Sequence, residues 1–264
     1  MKKIIFALLG ISCSLVCAAA GFNNLVNKGS NDKDRRVTRI VKIANFEKIA
    51  LTGSYDIVYT QADKYSVEVT GPERLVKEVR FSLSQGTLNV RSNDKLFSGG
   101  KFRFFSGVFS SGRDNNVVIK ISSPDLIAAT VTGSGSFVAP QLVDTDHLEL
   151  AVTGSGDMVF NNVICDSYVA KVTGSGDLEI KKIVAQRAEL SLLGSGDLSV
   201  SQHGVKQTKA SLRGSGDLDL NCYQCGEVAA DLLGSGDISI EGTAKRVTRN
   251  VRGSGDISDH TKRP

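Results

Sequence analysis

The feature that most constrains this chain is a corner that recurs at a fixed interval. A Gly-Ser-Gly tripeptide, preceded by an apolar-rich pair, occurs seven times, with its first glycine at positions 133, 154, 174, 194, 214, 234 and 253. The spacings are 21, 20, 20, 20, 20 and 19 residues. In six of the seven copies the next residue is Asp, and in the first it is Ser136. A degenerate eighth copy, Leu51-Thr52-Gly53-Ser54-Tyr55-Asp56, stands well upstream. Self-similarity at one period is the signature of a solenoid.

What a 20-residue unit can fold into follows from its patterning. In Ala188-Glu189-Leu190-Ser191-Leu192 apolar residues fall on every second position, and Asp197-Leu198-Ser199-Val200 alternates again beyond the corner. Period two means strand. Glycine supplies the backbone freedom for a sharp corner between two such strands, and the following Asp can accept backbone N–H groups at the turn. No apolar run keeps a helical period. A unit this short holds two or three strands with their corners and cannot bury its apolar face alone, so coils must stack in parallel, about 4.8 Å apart. The pattern predicts an all-β protein, a right-handed parallel β-helix with coils of about 20 residues. Ordinary hydrophobic content (41%) and a complete lack of Trp are compatible with such a core.

The flanks are of a different kind. Lys2 and Lys3, the apolar run from Ile4 to Val16 and Ala18-Ala19-Ala20 read as a secretory signal over 1–20, cleaved after Ala20. Cys13 and Cys17 have Gly10 and Ser14 three residues before them, which fits lipid attachment poorly. No other stretch is apolar enough to span a membrane. Residues 21–35 read as a flexible polar leader, 36–259 as one β-helix domain and 260–264 as a tail. Within the domain, 36–130 holds irregular coils and 131–259 the regular ones. Short strands are expected at 37–43, 49–51, 57–59, 66–69, 79–83 and 88–90, with turns at Gly71-Pro72 and Gln85-Gly86. An insertion over 92–116 interleaves Phe97, Phe102, Phe104, Phe105 and Phe109 with Lys101, Arg103 and Arg113.

Without residues 1–20 the chain keeps 30 of its 32 basic residues against 28 acidic ones, a net charge of +2. That balance gives no electrostatic case for nucleic acid. The last coil is locally basic (Lys245, Arg246, Arg249, Arg252, Lys262, Arg263), which reads as a solvated solenoid end. Cys222 and Cys225 can close a small disulfide in an oxidising compartment. A zinc site lacks its further ligands, and a thioredoxin-like role lacks its βαβ setting. Cys165 shares its repeat position with Cys225 but lies three coils away, roughly 14 Å at the inter-strand spacing, so it reads as a buried small hydrophobe.

At the level of motifs the chain resembles the putative auto-transporter adhesin, head GIN domain family, over residues 38–258. The resemblance rests on Phe46-Glu47-Lys48-Ile49-Ala50-Leu51-Thr52-Gly53-Ser54-Tyr55-Asp56-Ile57, on Val117-Val118-Ile119-Lys120-Ile121-Ser122-Ser123-Pro124-Asp125-Leu126, and on the Gly-Ser-Gly repeats. It implies a right-handed parallel β-helix with a surface or periplasmic address, and adhesion through the family's name. The sequence departs from an autotransporter in ending Asp-His-Thr-Lys-Arg-Pro, with no segment for a translocator barrel.

The repeat also creates columns. Asp157, Asp177, Asp197, Asp217, Asp237 and Asp256 should lie one above another, beside a ladder of Ser134, Ser155, Ser175, Ser195, Ser215, Ser235 and Ser254. Like charges about 5 Å apart repel by roughly 1 kcal/mol in water, so backbone donors, solvent or bound cations must offset them. Capping by backbone N–H groups is the expectation. A cation column is the alternative, with few oxygens per coil for calcium. A carbohydrate-active lyase or hydrolase would need paired carboxylates, and His147, His203 and His260 fall at unrelated repeat positions. No catalytic residue and no cofactor is therefore expected. The phenylalanine-rich insertion is either a cap on the core or a loop that contacts a partner. The reading is an exported, non-enzymatic envelope or surface protein that meets a protein or glycan, with a carbohydrate-active enzyme or a cation-binding solenoid as alternatives.

Overall fold

A computed structural model describes residues 35–91 and 116–263. The signal segment, most of the leader and the five insertion phenylalanines lie outside the described residues. The described chain is a β-solenoid of about seven turns.

In the regular coils one strand ends on the first glycine of the corner, and in most of them the next begins on the Asp. The pairs are β8 (Ala128–Gly133) with β9 (Ser136–Asp144), β10 (His147–Gly154) with β11 (Asp157–Ile164), β12 (Ser167–Gly174) with β13 (Asp177–Val184), and β14 (Arg187–Gly194) with β15 (Asp197–His203). They continue through β16 (Gln207–Gly214), β17 (Asp217–Gly234), β18 (Asp237–Gly253) and β19 (Ile257–Lys262). Each strand pairs in parallel with its equivalent one coil away, residue over residue: Val152, Val172, Leu192, Leu212, Leu232 and Val251 form one column. Alternation puts every second side chain inside. The inner column Ala129, Leu150, Ala170, Leu190, Ala210, Ala230 interleaves small and large residues, all buried. Burying a leucine in such a column stabilises the fold by about 1.5–3 kcal/mol. Residues 260–262, expected in a tail, instead complete β19 on β18.

The N-terminal part joins parallel coil strands to antiparallel ones. Here lie β1 (Arg36–Ile40), β2 (Lys48–Gly53), β3 (Asp56–Gln61), β4 (Ser66–Pro72), α1 (Glu73–Val76), β5 (Arg80–Ser84), β6 (Thr87–Arg91) and β7 (Val118–Ser123). β2 stacks in register on β8, with Gly53 against Gly133, so the degenerate motif is a true corner of the first coil. Around it, β4 runs antiparallel between β1 and β7, and β5 and β6 form an antiparallel hairpin. The turn expected at Gln85-Gly86 is that hairpin's loop, with positive φ at both residues (50° and 71°), which matches strand twist. Gly71-Pro72, expected as a turn, ends β4 and caps the single helical turn α1. Beneath that coil β6 stacks in parallel on β2, with Leu88 against Ile49 and Val90 against Leu51, and β7 stacks in parallel on β3. Val67, Val69, Val76 and Val79 are buried with them.

The other end is closed differently. Arg249 takes the place of leucine or alanine in the inner column, against Ala230, and donates to the Ile257 carbonyl at 3.2 Å. Val251 in the same strand is 42% exposed. An inward charge on an open edge opposes edge-to-edge pairing with another chain.

Candidate functional site

The corner is built by backbone packing. The N–H of each ladder serine donates to the carbonyl of the first glycine one coil earlier, as in Ser155 to Gly133 and Ser195 to Gly174, both at 2.8 Å. The first glycine adopts positive φ, 138° at Gly194, and the second is buried so tightly that a Cβ on Gly196 would run into the Gly176 carbonyl. Glycine is thus required at both positions, and serine side chains between them face outward.

The aspartates stand in register: Asp157, Asp177, Asp197, Asp217 and Asp237 pair coil to coil, with Ser136 and Asp56 continuing the column. The Asp177 pairing to Asp197 is carried by the backbone: Asp197 N–H donates to Asp177 Oδ1 at 3.0 Å, and Asp256 N–H donates to Asp237 Oδ1 at 2.9 Å. The Asp177 and Asp237 carboxylates therefore cap the coil above. At the first step Ser136 Oγ donates to Asp56 Oδ1 at 2.7 Å. The donors offset the repulsion only in part. Burial first, then the neighbouring carboxylates, hold Asp157 and Asp197 above the usual carboxylate range. Asp56 is raised by burial, against the Ser136 hydrogen bond.

Beside this column the outer face of the last coils forms a polar hollow of about 290 Å³, lined by Ser199, Ser201, Asp219, Asn221, Ser239 and Glu241. Asp219 is raised by burial and by Asp217 and Glu241. Sequence reasoning missed this hollow, although aligning residues two and four places after each Asp brings its members into two columns. A second hollow, about 440 Å³, lies in the N-terminal part against Arg39, Lys42, Arg80 and Phe81. Arg39 sits over the Phe81 ring at 5.5 Å and donates to the Val79 carbonyl at 3.0 Å.

The three histidines stay apart. His147 Nδ1 meets Ser167 Oγ at 2.9 Å, His203 stacks on Tyr223 at 4.3 Å between centroids, and His260 is exposed on β19. Cys165, Cys222 and Cys225 are all buried, with free thiols. Burial first, then Asp166 and Asp144, push the Cys165 thiol up to about 12. Among the described residues no group of three or more His, Cys, Asp or Glu is arranged to hold a metal ion. No helix among them is long and apolar enough to cross a membrane.

The sequence pattern of the family described as putative auto-transporter adhesin, head GIN domain, matches residues 45–224 and 183–260. Among solved structures, a putative adhesin from Bacteroides fragilis superposes with a TM-score of 0.71 at 24% identity, covering 87% of this chain and 99% of that one. A putative adhesin from Parabacteroides merdae gives 0.63 at 20% identity, covering 85% and 95%. A putative lipid binding protein from Parabacteroides distasonis gives 0.61 at 24%, covering 84% and 96%. At these identities the likeness is one of fold. No curated protein matches.

Proposed function

The chain belongs to the putative auto-transporter adhesin, head GIN domain family, and from that membership we propose that it is an exported, non-enzymatic protein of the cell envelope that binds a partner along its outer face. The observation that carries the reading is the in-register outer column from Asp157 to Asp237, with hydroxyls, carboxylates and amides beside it in the polar hollow. Its groups repeat at the inter-strand spacing of about 4.8 Å. A rigid ladder of donors and acceptors at one spacing suits an extended partner, a glycan or a protein segment, that can be met at several coils at once. The carboxylates already serve the stack as caps, so their role needs no chemistry. The basic N-terminal and C-terminal ends flank this face and favour an anionic partner at either end.

Fractionation combined with protease treatment of intact cells tests the address. Digestion of the protein on intact cells is expected. A protein found only in the periplasm and protected from protease overturns adhesion. Beads carrying the purified chain should then bind cell-envelope material, and an Asp219→Ala, Glu241→Ala pair should weaken that binding while the melting temperature stays put.

A further inference from the structure

The second corner of the coil that begins at Gly214 holds two buried thiols, Cys222 and Cys225, 0% and 1% exposed. In a regular strand residues three apart face opposite sides. Both face the core here because the bulge of the coil has moved. In the coil beginning at Gly174 the extra residue falls early, where Lys181 and Lys182 are both exposed between buried Ile180 and Ile183. In the next two coils alternation runs on unbroken to Gln202 and Cys222, and the extra residue falls later, at Gly204 (φ 68°) and Gln224 (φ 54°). Tyr223 and Gln224 therefore point out while both sulfurs turn in. Gln224 takes up the left-handed region that Gly204 adopts with little strain one coil earlier.

The two sulfurs meet one residue, Gln202, through its side chain and its main chain. Gln202 Nε2 donates to Cys222 Sγ at 3.5 Å, and the Cys225 thiol donates to the Gln202 carbonyl at 3.6 Å. Gln202 is itself held by the Tyr168 hydroxyl at 3.1 Å and donates to Thr208 Oγ1 at 2.7 Å. The closeness of the two thiols lowers Cys225 and raises Cys222. Over them the next coil places two small residues, Gly242 against Cys222 and Ala244 against Cys225.

We propose that Cys222 and Cys225 are a modification site that closes to an intra-coil disulfide, formed by thiol–disulfide exchange with a disulfide-bearing oxidant of the export compartment. A thiolate of the pair attacks the oxidant's disulfide, forming a mixed disulfide and releasing one oxidant thiol. The second cysteine then attacks its neighbour's sulfur and releases the other. Two protons and two electrons leave the pair, and the oxidant's S–S bond is exchanged for the Cys222–Cys225 bond. Burial restricts the reaction to the period before this coil closes or to openings of the last coil above it. Nothing in the proposal depends on what the outer face binds.

The test uses the full chain, once recovered from an oxidising compartment and once refolded from the reduced state with oxidised glutathione as probe. Each sample is denatured without reductant, alkylated with a maleimide and digested with trypsin. Cys222 and Cys225 lie on one tryptic peptide, 214–245, and Cys165 on another. The expected result is full labelling of Cys165 and a 214–245 peptide that carries no label, two hydrogens lighter than its reduced mass. Labelling of Cys222 and Cys225 to the extent of Cys165 in both samples overturns the proposal, as does a stable glutathione adduct on either one. The oxidised protein should also melt higher than the reduced one, and a Cys222→Ala, Cys225→Ala variant should lose that difference. An unchanged difference in the variant counts against the bond.

Discussion

The stack from Gly133 to Gly253 and the N-terminal part over 35–91 solve one problem in two ways. In the stack every coil is covered by a copy of itself, so one corner repeated with small changes supplies core, hydrogen bonds and register together. Gly53 and its strands belong to that stack, but β6 and β7, which stack in parallel beneath them, lack the repeated corner and are flanked by antiparallel strands. There β1, β4 and β7 turn antiparallel, a hairpin and a helical turn are added, and valines from several directions close the core. The difference teaches that repetition fixes the inside of a solenoid and leaves its ends to be solved case by case. The C-terminal end is solved with charge, Arg249, instead of a fold.

The strongest break of this comparison is at glycine. Gly196→Ala places a Cβ against the Gly176 carbonyl in a corner that cannot spread without moving its neighbours. A loss of more than about 3 kcal/mol, or no cooperative unfolding at all, is expected by chemical denaturation. Gly86→Ala in the hairpin has open space around the added methyl. It should cost only about 1 kcal/mol, the penalty of its positive φ. Equal effects would mean that the corner is no tighter than an ordinary turn.

Next is Leu190→Ala. Its column neighbours are Ala170 and Ala210, so the change leaves four alanines in succession, 170 to 230, and a cavity in the core. A loss of about 3–5 kcal/mol is expected, with protection from amide exchange falling throughout the stack. Leu88→Ala in the N-terminal part should lower protection chiefly over 35–91, because local openings follow the units that pack together.

The aspartate column gives a smaller, pH-dependent effect. The carboxyls of Asp56, Asp157 and Asp197 are raised in the folded protein. Folding therefore favours their protonated form, and the stability this contributes is full below the unfolded value of 3.8 and is lost as pH rises through the folded values. The melting temperature should thus carry a downward slope on the alkaline side of pH 3.8 from these groups. Asp157→Asn with Asp197→Asn should flatten that slope, and each change should alter stability at neutral pH by no more than about 1 kcal/mol. A steeper slope in the variant would contradict the assignment.

The smallest effect on stability is expected at Arg249. Arg249→Leu restores the apolar column and should change stability by about 0.5 kcal/mol or less, yet light scattering should show self-association that the parent protein lacks.

Much of this was legible in the residues. The period of 20 with strict alternation leaves no helix, and Gly-Ser-Gly at every corner leaves no other place to turn. Even the degenerate corner at Gly53 stands in the register that its motif implies. The antiparallel cap was not legible, since 36–91 reads as short strands whose partners are chosen by what lies across the core. Nor was the polar hollow, because Asp219 and Glu241 come from different coils and neither belongs to the repeated motif. The aspartates were visible as a column, but the donors that Asp177 and Asp237 cap belong to the next coil, and only the stacking distance decides that.

By itself the sequence determined the coil, its corner and the residues that face inward, because period and alternation act within one repeat. Tertiary structure alone decided how the first coil is closed, where the bulge sits in each coil and hence which way both Cys222 and Cys225 point. Those outcomes depend on what is packed one coil away, and a bulge moved by a single residue turns a side chain from solvent to core.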